Sequence, residues 1–136
     1  MEKSAPRGIR NNNPLNLRRS DNAWLGKVEH PTDPAFEQFL TMEHGIRAAL
    51  VNMRTIIRRA KGHCTLAHLI ETWAPSTENN TAAYIDRVAK GARLYKYTLL
   101  DFKDRETIIA VAYQMAWVEC GQPVPREKFV KAYDMV

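Results

Sequence analysis

Glu119 is the residue whose setting most suggests chemistry. Ile108, Ala112, Met115 and Glu119 are spaced by four, three and four residues. That spacing puts the carboxyl on the apolar face of a helix, in its last turn. Two effects disfavour the anion there: apolar neighbours desolvate it, and the helix C-terminus adds partial negative charge. An acid kept protonated near neutral pH is what general-acid chemistry on a glycosidic oxygen requires. Cys120-Gly121 then lets the chain turn away, leaving the acid at the lip of a cleft. The competing reading turns Glu119 outward in a frayed last turn.

Other constellations are weaker. His63, Cys64 and His68 offer three metal donors, but no second pair of cysteines or histidines stands nearby. No Gly-rich phosphate loop and no serine nucleophile elbow is present. No metal and no cofactor are therefore expected. Arg54, Arg58, Arg59 and Lys61 recur at helical spacing. That pattern suits a solvated helix face better than a nucleic-acid interface, and it is compatible with a polyanionic wall.

The elements that must position these residues follow from composition and pattern. The chain has 136 residues, 45% hydrophobic and 26% charged, with a formal net charge of +5. That fits a single domain over residues 1–136 and excludes a disordered tail, a coiled coil and a collagen-like chain. No apolar run approaches the ~18–20 residues of a membrane span. The charged start at residues 1–6 lacks the apolar stretch of a secretory signal, and two cysteines make no disulfide framework. Synthesis in a reducing cytoplasm is the expectation. The mild positive excess favours an anionic partner: nucleic acid, anionic lipid or bacterial wall.

Residues 7–40 read as polar loops, rich in Asn and broken by Pro14, Pro31 and Pro34. Residues 35–40 suit a short strand with Phe36 and Leu40 on one face, so a small hairpin is allowed. Five helices follow. Thr41 caps one over 42–60, and Thr65 starts one that Pro75 stops near 73. Asn79 or Asn80 caps the third, to about 91; Asp104 begins the fourth, to about 119; Pro125 opens the last, ending near 133. The class is mainly α.

Longer motifs carry a resemblance. Arg7-Gly8-Ile9-Arg10-Asn11-Asn12-Asn13-Pro14-Leu15-Asn16-Leu17 leads to Trp24-Leu25-Gly26, then to Phe36 and Phe39, and to Gly45-Ile46-Arg47-Ala48. Trp73-Ala74-Pro75-Ser76-Thr77-Glu78-Asn79-Asn80-Thr81 runs on to Tyr84-Ile85, and Glu119-Cys120-Gly121-Gln122-Pro123 closes the series. Over nearly its whole length the chain resembles a family of bacteriophage and prophage virion structural or endolysin-like proteins. Leu15 stands where that family usually has Gly, and Asn80 where it has Asp. More distantly, residues 12–17, Trp24-Leu25-Gly26 and residues 73–84 are similar to flagellar- and autolysin-type N-acetylglucosaminidases. Those enzymes begin with a helix ending in a catalytic Glu. Here Val118-Glu119-Cys120-Gly121 resembles that start, moved to the C-terminal side. The resemblance implies a lysozyme-like helical domain, circularly permuted. Glu119 must then lie near the Asn-rich segment and Tyr84; a separation above about 15 Å would exclude the idea.

The resemblance also implies roles. Glu119 would protonate the leaving oxygen of a bond in the glycan strand of peptidoglycan. Tyr84 would orient a water or steady developing charge, or is a core tyrosine beside Ile85 and Val88. Glu78, ahead of a helix start, is a rival acid, base or nucleophile, or a cap. The amides of Asn11, Asn12, Asn13 and Asn16 would meet N-acetyl and hydroxyl groups, or brace their own turn. Trp24 would stack on a sugar or anchor its loop, whereas Trp73 and Trp117 read as core. The implied function is a phage-type N-acetylglucosaminidase, muramidase or lytic transglycosylase. It would act at the bacterial wall or within a phage particle, with peptidoglycan and other virion proteins as partners. The alternative is a non-catalytic virion structural or wall-binding protein of the same fold, and a small basic nucleic-acid-binding protein is less favoured.

Overall fold

The computed structural model describes residues 5–77 and 79–136. Six helices follow in order: α1 (Arg7–Arg10), α2 (Met42–Arg59), α3 (Leu66–Trp73), α4 (Thr81–Ala92), α5 (Arg105–Cys120) and α6 (Arg126–Asp134). The chain is mainly α.

The helix starts rest on side-chain caps read from sequence. Thr41 Oγ1 accepts the His44 amide at 3.1 Å and Thr65 Oγ1 the His68 amide at 3.0 Å. Asn80 Oδ1 accepts from Ala83 N at 3.2 Å, and Asp104 Oδ1 from Thr107 N at 3.4 Å. Each satisfies one of the backbone donors that a helix start leaves orphaned. Pro125 sits just ahead of α6, and Gly121, at φ 72°, turns the chain away after α5.

Ile46, Leu50 and Met53 of α2, Leu69 and Ile70 of α3, Val88 of α4, Ile108, Ala112 and Met115 of α5, and Phe129 of α6 meet in the core. Leu15 from the N-terminal segment joins them, which ties that segment to the bundle. The closest helix pairings set α4 against α5 and α2 against α6.

The N-terminal forty residues differ from expectation in three respects. Arg7–Arg10 forms a helical turn, although its polar composition reads as loop. No regular strand forms among the described residues. In place of a hairpin there are isolated antiparallel bridges between Arg18 and Phe36 and between Lys27 and Phe39. The expected facing of residues 35–40 is also reversed. Leu40 is 68% exposed, whereas Phe39 and Glu37 are buried. Glu37 is drawn inward because Lys27 Nζ pairs with it at 2.9 Å, an ion pair that single-strand periodicity cannot show.

Backbone bonds around the bridges, such as Glu37 N to Leu17 O at 3.0 Å and Phe39 N to Asn11 O at 2.9 Å, are supplemented in this segment by side chains. Asp33 takes both ends of the Arg7 guanidinium at 2.6 Å and accepts from the amides of Ala35 and Phe36 at 2.9 Å. These donors hold its carboxyl well below the usual range. Gly45 lets the segment lie against α2, since a Cβ there would sit 1.7 Å from the carbonyl oxygen of Asn12.

Candidate functional site

Three elements distant in sequence converge on the Glu119 carboxyl. Helix α5 presents it in its last turn, as the spacing predicts. Helix α4 supplies Tyr84, whose hydroxyl donates to Glu119 Oε2 at 3.0 Å. The loop after α1 supplies Asn16, whose Nδ2 donates to Glu119 Oε1 at 3.1 Å. The separation that would have excluded a shared cleft is therefore replaced by direct contact.

The loop reaches this position through strained turns. Asn12 (φ 51°) and Asn16 (φ 54°) both adopt the left-handed conformation, which Asn tolerates better than most residues. The Cys120 thiol donates to Pro14 O at 3.2 Å and Trp73 Nε1 to Leu15 O at 3.2 Å. The loop is thus pinned to α5 on one side and to the end of α3 on the other. A Cβ on Gly8 would lie 2.9 Å from Cys120 Sγ and 3.1 Å from Asn16 Oδ1, so only glycine leaves room there.

Burial pushes the Glu119 carboxyl up, and the donors Asn16 and Tyr84 hold it back; burial wins. The same burial, with Glu119 alongside, raises the Tyr84 hydroxyl, which stays protonated and acts as a donor. The Cys120 thiol is pushed up to about 11 by burial and by Glu119. Glu119 opens onto a cavity of about 150 Å³ whose walls include Trp73, Phe36, Arg18 and Asn79. The Arg18 guanidinium lies 5.4 Å from the centre of the Phe36 ring.

One comparison bears on this arrangement. No protein-family profile matches the chain. Protein P5 of Pseudoalteromonas phage PM2 is 36% identical over 134 residues, covering 96% of this chain and 81% of that protein. The chain belongs to the Protein P5 family.

The remaining predicted residues fall elsewhere in this P5-family protein. Asn13 is fully buried; its Nδ2 donates to Leu17 O and Glu37 O, and its Oδ1 accepts from Leu17 N. Asn11 donates to Asp33 and accepts from Gln38, and Asn12 donates to Phe39 O. These three amides brace the loop, and of the four asparagines Asn16 is the one that bonds the Glu119 carboxyl. The physical reason is the strandless segment, whose carbonyls need side-chain donors. Trp24 is half-buried and does not line the Glu119 cavity. Glu78 lies outside the described residues.

Of the two tryptophans read as core, Trp73 packs against it while only half-buried, and Trp117 is half-buried as well. Trp73 is a half-buried wall of the cavity, and Trp117 is a half-buried residue under the Arg87 guanidinium, 4.7 Å from its ring. Phe36 and Arg18 were missed as cavity residues. Their bridge pairing would have found them, but only once the fold is known. Cys64 is buried, whereas His63 and His68 are exposed on a groove with Arg59, so the three metal donors do not converge. Among the described residues, no group of three or more His, Cys, Asp or Glu could hold a metal, and no helix is long and apolar enough to cross a membrane.

Proposed function

We propose that this phage-family protein is a single lysozyme-like domain, permuted so that the acid-bearing helix comes late. In this reading it cleaves the glycan strand of peptidoglycan with Glu119 as general acid. The observation that carries the reading is the half-buried Glu119 carboxyl held between Asn16 and Tyr84 in the wall of a cavity shared with Trp73 and Phe36.

The chemistry follows from the hydrogen bonds. Both partners donate, so they stabilise the carboxylate left after the proton goes to the leaving oxygen. The neutral acid needs an acceptor instead. Asn16 Oδ1 is buried without a hydrogen-bond partner, and rotation of the amide turns it toward Glu119. Asn16 thereby serves both protonation states. Trp73 offers apolar surface for a sugar ring, the Phe36 ring is packed against the Arg7 and Arg18 guanidinium groups, and no second carboxylate lines the cavity among the described residues. The second half of the reaction then falls to a loosely held water, to the substrate's own N-acetyl group, or to internal transglycosylation.

A second reading keeps the fold and removes turnover: a virion structural or wall-binding protein. Kinship with a phage protein favours it. So does the cavity, at about 150 Å³, below the ~300–1,000 Å³ of most small-ligand sites. Clearing of purified cell walls by wild type but not by Glu119→Gln establishes the enzyme. Pelleting of both on walls, with clearing by neither, establishes the binder.

A further inference from the structure

A second cavity lies beside the one at Glu119 and exceeds it in volume. It occupies about 570 Å³ between α3 and α4. Its floor is apolar, from buried Ala67 and Ile85. Its rim is charged: Glu71 on α3 faces Asp86 on α4, and Lys96 and Tyr97 close the end. Among the described residues neither Glu71 nor Asp86 has a salt-bridge partner, although the chain as a whole carries an excess of positive charge.

That chemistry discriminates among ligands. Two carboxylates repel a nucleic acid, and they hold a cationic amine by charge as well as by hydrogen bonds, where a neutral glycan offers hydroxyl donors alone. A short peptide with a free side-chain amine and a carboxylate matches every wall: amine to Glu71 and Asp86, carboxylate to Lys96, and aliphatic stem to the floor and Tyr97. Tyr97 is 55% exposed and meets Tyr95 edge-on at 5.2 Å, giving the cavity an aromatic lip.

The position matters as much as the composition. Ala74 and Asn79 line the Glu119 cavity, and Pro75, Ser76 and Thr81 line this one. The Thr81 hydroxyl donates to Ala74 O, tying the two ends of the shared wall together. On α4, Tyr84 turns to Glu119 while its neighbours Ile85 and Asp86 turn to the larger cavity.

We infer that the α3–α4 cavity binds the peptide stem of the wall polymer, by its side-chain amine, beside a glycan strand held at Glu119. The inference rests on the wall-glycan reading and sharpens its substrate to peptide-bearing strands. The test is a nuclear magnetic resonance titration with the free stem tetrapeptide that carries a diamino acid. Wild type and Glu119→Gln bind it, and amide signals of Ala67, Ala82, Asp86 and Tyr97 move while that of Asn16 does not. The double variant Glu71→Gln/Asp86→Asn loses about tenfold or more in affinity, and so does wild type toward peptide acetylated on the side-chain amine. Both substituted positions are exposed, and a thermal melt checks that the double variant is folded. Equal binding by the double variant, or shifts confined to the Glu119 cavity, overturns the inference. Peptide binding without wall clearing removes the enzymatic reading and leaves this one standing; wall clearing without peptide binding does the reverse.

Discussion

Replacing Tyr84 with Phe isolates the hydroxyl that touches Glu119. The ring is 7% exposed, so the phenyl group keeps the packing and water does not take the hydroxyl's place. The loss depends on the charge of Glu119. Against a carboxylate, a buried hydrogen bond contributes about 1.5–3 kcal/mol; against a neutral acid, about 0.5–1.5 kcal/mol. The difference is roughly 1 kcal/mol, about fivefold in the folding equilibrium. The sign follows from the raised Glu119 carboxyl. A half-buried acid that binds its proton more tightly when folded favours the native state most at low pH. That stability is lost as pH rises through its folded value. Tyr84→Phe removes a donor that holds the carboxyl down, so the loss on raising pH grows. Urea unfolding of both proteins at about pH 4 and about pH 8 measures it. The expected penalty is near 1 kcal/mol at the lower pH and near 2 kcal/mol at the higher. In the wall-clearing assay, the alkaline limb moves to higher pH. An equal penalty at both pH values would refute the coupling between hydroxyl and carboxyl.

Two further outcomes follow from the N-terminal segment. Gly45→Ala sets a Cβ 1.7 Å from Asn12 O, and overpacking of about 1–3 kcal/mol outweighs the ~1 kcal/mol helix-propensity gain of alanine. Thermal melts show a lower midpoint, and the amide signals of residues 12–16 move. Asp33 has a depressed carboxyl, so its contribution is present above the ordinary value of 3.8 and is lost as pH falls below it. Asp33→Asn lowers stability at neutral pH and flattens the acid limb of the stability curve, read by denaturant unfolding across the acid range.

Much of the helical frame was legible because its signals are local. Thr41, Thr65, Asn80 and Asp104 cap the helices they were expected to start, since a cap needs only a side chain and an amide three residues on. Glu119 was legible for a similar reason: the spacing from Ile108 through Met115 fixes which helix face it shares. The N-terminal segment was less so. Its polar run Arg7–Arg10 turns helical, and Glu37 points inward, because partners more than twenty residues away or across a turn outweigh local preference. Trp73 packs against the core as expected, but it also walls the cavity, with its Nε1 bonded to Leu15 O across 58 residues.

The sequence by itself determined the helical class, the helix starts, and an acid in the last turn of an apolar helix face. It also carried the likeness that led to a phage family. Tertiary structure decided which of four candidate asparagines reaches the acid, that Tyr84 and Asn16 are its donors, and that a larger charged cavity adjoins it. The physical reason is range. Caps and periodicity act within a few residues, whereas a site made from positions 16, 84 and 119 exists only after the core has brought α4, α5 and the first loop together.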